Sequence, residues 1–116
     1  MNIEMLRNHC ISKKAVKETF PFGEDTLVVK VLDKTFALIS LSSPDSVNLK
    51  CDPEKAIELR ERYECVQPGY HMNKKHWNTV YFDGSVNDSL ILEWVDHSYD
   101  MVVKGMNKKG KAKLSK

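Results

Sequence analysis

The chain has 116 residues, 41% of them hydrophobic and 29% charged, and a formal net charge of +2. That length supports one hydrophobic core and leaves too little for a second. The composition is that of an ordinary globular domain and excludes collagenous, low-complexity and strongly charged disordered chains. No apolar run approaches the ~20 residues needed to cross a bilayer. Met1 to Lys14 mixes polar, acidic and apolar residues unlike a signal or transit peptide, so the expected setting is the cytoplasm, with no membrane partner. The charge is segregated. Residues 105–116 hold five lysines and no acid, which leaves 13 basic against 16 acidic residues in the rest. A uniformly basic nucleic-acid binder is thereby excluded, and any affinity for phosphate must come from a local patch, the tail or both. Three cysteines, Cys10, Cys51 and Cys65, lack paired spacing and read as reduced, buried thiols.

Asn2 is placed to cap a helix to about Ile11, with Ile3, Leu6 and Cys10 at helical spacing. Ala15 to Thr19 reads as a broken extension of that helix. Phe20-Pro21-Phe22-Gly23 then stops it in a turn carrying two rings. Three strands follow: Thr26 to Leu32, Thr35 to Leu41, and Ser46 to Cys51. The last alternates Val47, Leu49 and Cys51 against Ser46, Asn48 and Lys50. The short connections between these strands call for an antiparallel meander. Asp52-Pro53-Glu54 is a helix start, combining a capping carboxylate, a preset φ and an acid at the positive end of the dipole. That helix should run to about Tyr63 and bury Ala56, Leu59 and Tyr63. Cys65-Val66-Gln67 reads as a short strand broken by Pro68-Gly69. Tyr70 to His76 has no periodic apolar face and reads as a presented loop. Trp77 to Asp83 is a strand in which Val80 and Phe82 alternate with Thr79 and Tyr81. A long helix from Asn87 or Asp88 to about Met106 carries a broad apolar face including Leu90, Ile91, Trp94, Val95 and Val102. The expectation is one domain over residues 1–106, with residues 107–116 as a basic flexible tail. The class is α+β: a twisted antiparallel sheet of about five strands, with the N- and C-terminal helices packed on one face.

The run Val66 to Gly84 concentrates the candidate chemistry. It holds two of the four histidines, and no acid interrupts it between Glu64 and Asp83. His71 and His76 with Cys65 lack the close ligand pairs of a structural zinc site, so no metal and no cofactor is expected. There is no nucleophile elbow and no phosphate-loop glycine pattern, so no catalytic residue is assigned. Lysines neutralise phosphate, amides contact base edges and aromatic rings stack on bases. Tyr70, His71, Asn73, Lys74, Lys75, His76 and Asn78 are therefore candidate nucleic-acid contacts, with Asn48 and Lys50 continuing the surface on a neighbouring strand. An alternative from another class is a small-molecule or enzyme pocket formed by His71, His76 and Asn73. A third is a buried hydrogen-bonded network that fixes the loop.

Several runs resemble the MmcQ/YjbR family of small bacterial proteins. They are F-P-F-G at Phe20 to Gly23, V-N-L-K-C-D-P-E at Val47 to Glu54, and P-G-Y-H-M-N-K-K-H-W-N-T-V at Pro68 to Val80, with D-G-S at Asp83 to Ser85 and H-S-Y at His97 to Tyr99. The lysine tail lies outside the resemblance. The resemblance implies a frataxin-like α+β fold and a proposed double-wing DNA-binding arrangement. Fold likeness alone does not carry frataxin's iron chemistry across. Taken together, these readings lead to the expectation of a non-enzymatic, monomeric DNA-binding protein that touches phosphate through a basic His/Lys/Asn loop.

Overall fold

The computed structural model describes residues 1–69 and 72–115. In chain order the elements are α1 (Ile3–Ile11), β1 (Val16–Thr19), β2 (Thr26–Val31), β3 (Lys34–Ser40), β4 (Ser46–Lys50), α2 (Pro53–Arg62), β5 (Val66–Pro68), β6 (Trp77–Tyr81), α3 (Asp88–Lys104) and α4 (Lys108–Leu114). The capping signals work as the sequence suggests. Asn2, Asp52 and Asn87 each accept a hydrogen bond from the backbone N–H three residues on, which satisfies a donor the helix leaves open.

The strands form one antiparallel sheet in the order β1-β2-β3-β4-β6-β5. Ala15 to Thr19 is thus not a helical extension. Ala15 takes a left-handed conformation (φ 63°) and ends the approach from α1. The four residues after it pair along β2, with Val16 opposite Val31 and Thr19 opposite Val28. This edge strand makes the sheet six strands wide. The β2–β3 hairpin turns on Leu32 and Asp33, one residue earlier than the sequence suggests, with Leu32 at φ 54°. The expected flexible tail also differs: Lys108–Leu114 is helical, capped by Asn107, and Leu114 and Met106 pack against the core.

Helices cover one face of the sheet. The alternate residues Leu27, Val29 and Val31 of β2, with Ala37 and Ile39 of β3, are fully buried on that side. A bulge between Val29 and Lys30 leaves Phe36 as the extra residue of β3. Its ring enters the same core and meets the edge of Tyr99 at 5.4 Å. The buried Ser98 hydroxyl donates to the freed Phe36 carbonyl at 2.5 Å and accepts the Lys50 N–H at 2.9 Å, so one residue of α3 ties down β3 and β4. A second clasp joins α1 to α3, where Asp96 accepts from His9 at 2.7 Å and Lys13 at 2.5 Å. Burial disfavours the Asp96 carboxylate. Its hydrogen bonds from Lys13 and His9, with the Lys13 charge beside it, outweigh burial and hold its pKa below the usual carboxylate range.

Among the described residues, no helix covers the opposite face of the sheet. That face presents Thr26, Val28 and Lys30 of β2, Thr35, Leu38 and Ser40 of β3, and Asn48 of β4, by the same two-residue period. Among the described residues, no helix is long and apolar enough to cross a membrane.

Candidate nucleic-acid interface

The run from Pro68 to Val80 divides in two. Its first part is a tight loop. Gly69 donates to the Trp77 carbonyl at 2.9 Å. A Cβ at Gly69 would sit 2.9 Å from that carbonyl and from the Trp77 Cβ, so only glycine allows this approach. Asn73 is exposed, and its Oδ1 accepts the Lys75 N–H at 2.9 Å, which is the local side-chain turn that asparagine favours. His76 closes the loop, and its carbonyl accepts the Cys51 N–H at 2.7 Å.

Arg60 of α2 holds this loop from beneath. Its Nε donates to Asn78 Oδ1 at 2.6 Å, and its Nη2 donates to the carbonyl of Lys74 and, at 3.4 Å, to that of Trp77. Asn78 in turn donates to the Ala56 carbonyl at 3.4 Å and is only 2% exposed. Asn78 is therefore a structural residue and not the exposed reader its amide suggested. It shares strand parity with Val80 and so faces α2. Among the described residues, no buried side-chain nitrogen or oxygen lacks a partner.

The remaining candidates are distributed as follows. Lys50, Asn73 and His76 line one open depression of about 620 Å³, together with Trp77 and Lys104. Lys74 and Lys75 are exposed on the loop beside it, and the Lys74 ammonium reaches back to the Gly69 carbonyl at 3.4 Å. Asn48 lies around the corner on the open face, where it accepts from Thr79 Oγ1 at 2.6 Å. Tyr70 and His71 fall outside the described residues, so the pocket of His71, His76 and Asn73 is represented by His76 and Asn73. Cys51, next to His76 through the backbone, is buried, and burial pushes its thiol up to about 11. It is protonated at neutral pH and is no nucleophile there. Burial likewise pushes Cys10 up to about 12.

Lys34 and Lys104, which the sequence did not single out, complete this end of the molecule with the tail lysines Lys109 and Lys113. The depression around His76 adjoins two others and shares Gly105 with both; Lys50 and Trp77 recur in one of them, and Lys34 and Met106 line both. Together they gather Lys34, Lys50, Lys104, Lys109 and Lys113 onto one end of the sheet. None of the five has a carboxylate within ion-pair distance among the described residues. The one described carboxylate lining this surface is Asp33, which is 91% exposed and reaches Lys17 at 3.7 Å. The start of β3 supplies Lys34, the end of α3 supplies Lys104, and α4 supplies the last two.

The architecture is that of a small open-sheet α+β protein with a lysine-rich end. The YjbR family model matches residues 11–101, and the chain belongs to the YjbR family. It is similar to the Escherichia coli K12 protein YjbR, at 38% identity over 89% of this chain and 88% of that protein. It is also similar to YbdF of Escherichia coli O157:H7, at 36% identity over 85% and 82%. Both are described as uncharacterized. Among solved structures, the Deinococcus radiodurans protein DR2400, which carries a DUF419 domain, superposes with a TM-score of 0.89. The two are 40% identical over 98% of this chain and 88% of that one.

Proposed function

We propose that the protein binds DNA through phosphate contacts made by this lysine-rich end, acting as a cytoplasmic monomer without enzymatic turnover. The observation that carries the reading is the convergence on one surface of five lysines that have no carboxylate partner among the described residues, in a chain that is acidic outside its last twelve residues. Cations of this kind release counterions from the phosphate backbone and give binding that weakens steeply with salt. Lys50, Lys104, Lys34, Lys109 and Lys113 supply charge. Lys74 and Lys75 extend it along the presented loop. Asn73 and His76 orient the contact, and Trp77 offers an aromatic surface inside the depression.

The test is fluorescence anisotropy with labelled duplex DNA at several salt concentrations. Binding should appear at low salt and fall with salt. The double variant Lys50→Ala/Lys104→Ala should reduce the log–log salt slope by roughly 2, since each lysine removed leaves one phosphate without its neutralising cation. Absence of binding at low salt, or wild-type affinity in the double variant, refutes the reading.

A further inference from the structure

The open face of the sheet carries a second concavity, separate in chemistry from the lysine-rich end. It is a trough of about 670 Å³, within the volume range of small-molecule sites. Half-buried Leu38 and the buried Val28, only 2% exposed, form an apolar floor, bordered by the side chains of Thr26, Thr35, Ser40 and Asn48. Pro21 and Phe22 of the β1–β2 turn line it, as does Met72 from the loop before β6. Phe22 is 75% exposed, a large ring held outside the core. Its turn is fixed by Gly23, at φ 109°, whose N–H donates to the Phe20 carbonyl at 3.4 Å.

The charge on this face indicates what the trough takes. Lys30 is its single charged lining residue, and no carboxylate lines it among the described residues. Lys30 stands directly opposite Lys17 across the β1–β2 pair. Like charges in that position repel. Lys17 reaches Asp33, whereas Lys30 has no carboxylate within ion-pair distance among the described residues. An anion in the trough would relieve both conditions. The backbone donors of the floor belong to interior strands and are engaged in the sheet ladder. Among the described residues of the floor no backbone nest is left for a phosphate, whose oxygens ask for several converging donors. One ammonium with a few side-chain donors suits a singly charged, planar carboxylate. Asn48 Nδ2 is such a donor, because its own acceptor, the Leu38 carbonyl, lies 3.5 Å away. We infer that the trough is a binding site for a small amphipathic carboxylate. Its flat apolar body would lie on Leu38 against Phe22 and Met72, and its carboxylate would meet Lys30.

The inference does not depend on DNA binding, since among the described residues only Thr35 lines both this trough and the lysine-rich surface. The test is a titration of the full ¹⁵N-labelled chain with 2-naphthoate and with its neutral analogue 2-naphthalenemethanol, followed by amide shifts. Naphthoate should move Val28, Lys30, Thr35, Leu38 and Asn48 in a saturable way and bind about tenfold more tightly than the alcohol, the scale of one charge-assisted contact. Lys30→Gln should abolish that preference while leaving the alcohol unchanged. Phe22→Ser, at an exposed turn position, should weaken both ligands. Lys50→Ala/Lys104→Ala should affect neither. Equal affinity for the two ligands, naphthoate binding insensitive to Lys30→Gln, or shifts centred on residues 50, 76 and 104 would each overturn the assignment.

Discussion

Asn73 and Asn78 lie five residues apart in one polar run, and the fold uses them in opposite ways. Asn73 is exposed and spends its side-chain oxygen on its own turn. Asn78 is buried, and both ends of its amide are engaged by α2. The same contrast holds for the cations. Arg60, half-buried, gives its donors to Asn78 and to two loop carbonyls, whereas Lys50 and Lys104 line an open surface with no carboxylate partner among the described residues. A polar, basic stretch thus contains a frame and a presented surface. The distinction lies in which side of a strand or helix each residue occupies, not in residue type.

Breaking the frame should have the largest effect. Arg60→Ala leaves Asn78 Oδ1 and the carbonyls of Lys74 and Trp77 without their charged donor. Chemical denaturation should show a loss of about 3 kcal/mol, with faster amide exchange at residues 72–76. Asn78→Ala removes one arm of the same network and leaves the Ala56 carbonyl without its side-chain donor. The expected loss is about 2 kcal/mol, and wild-type stability would show that the network is dispensable.

A smaller effect should appear with pH. His97 Nε2 accepts the Asp52 N–H at 3.3 Å, at the start of α2. Burial, and then the nearby Lys55, hold its pKa below the ordinary histidine value. The folded protein therefore favours the neutral ring, and the unfolded chain takes up a proton first. The stabilisation is complete above about pH 6.5, the unfolded value, and is lost as pH falls through the lower folded value. Urea midpoints should drop between pH 7.5 and pH 5. The drop should shrink in His97→Gln, whose side-chain oxygen can accept the same N–H at either pH. The smallest effect on stability belongs to the presented surface. Asn73→Ala and Lys104→Ala should each change folding free energy by no more than about 0.5 kcal/mol. Their effect should appear in DNA affinity at low salt, and a loss of several kcal/mol in either would move that residue into the frame.

Much of this was legible in the sequence wherever the signal was local. D-P-E at the start of α2, the apolar face of α3 and the alternation of Ser46 to Cys51 all led to the observed elements. β1 was not legible, because four residues without a distinctive pattern become a strand only by pairing with Val28 to Val31. The helix α4 was hidden because its lysines dominate and its packing rests on Leu114 together with Met106 from the preceding turn. Asn78 could have been placed correctly. Its parity with Val80 puts it on the covered face, and that periodicity should have outweighed its polarity. Arg60 also had a signal, being four residues beyond the buried Ala56 on the same side of the helix. The gathering of Lys34, Lys104 and α4 beside His76 depends on how α3 crosses the sheet, which no short window encodes.

Pro68 also bears on how the edges of the sheet are blunted. A sheet with one uncovered face and two free edges is a template for strand addition and fibre growth. Here one edge is β5, only three residues long and ending in a proline that has no N–H to offer a neighbour. The other is β1, four residues long, with charged Lys17 and Glu18 at its centre. Brevity, a missing donor and charge blunt both edges. The open face can therefore remain accessible to a ligand without inviting edge-to-edge polymerisation.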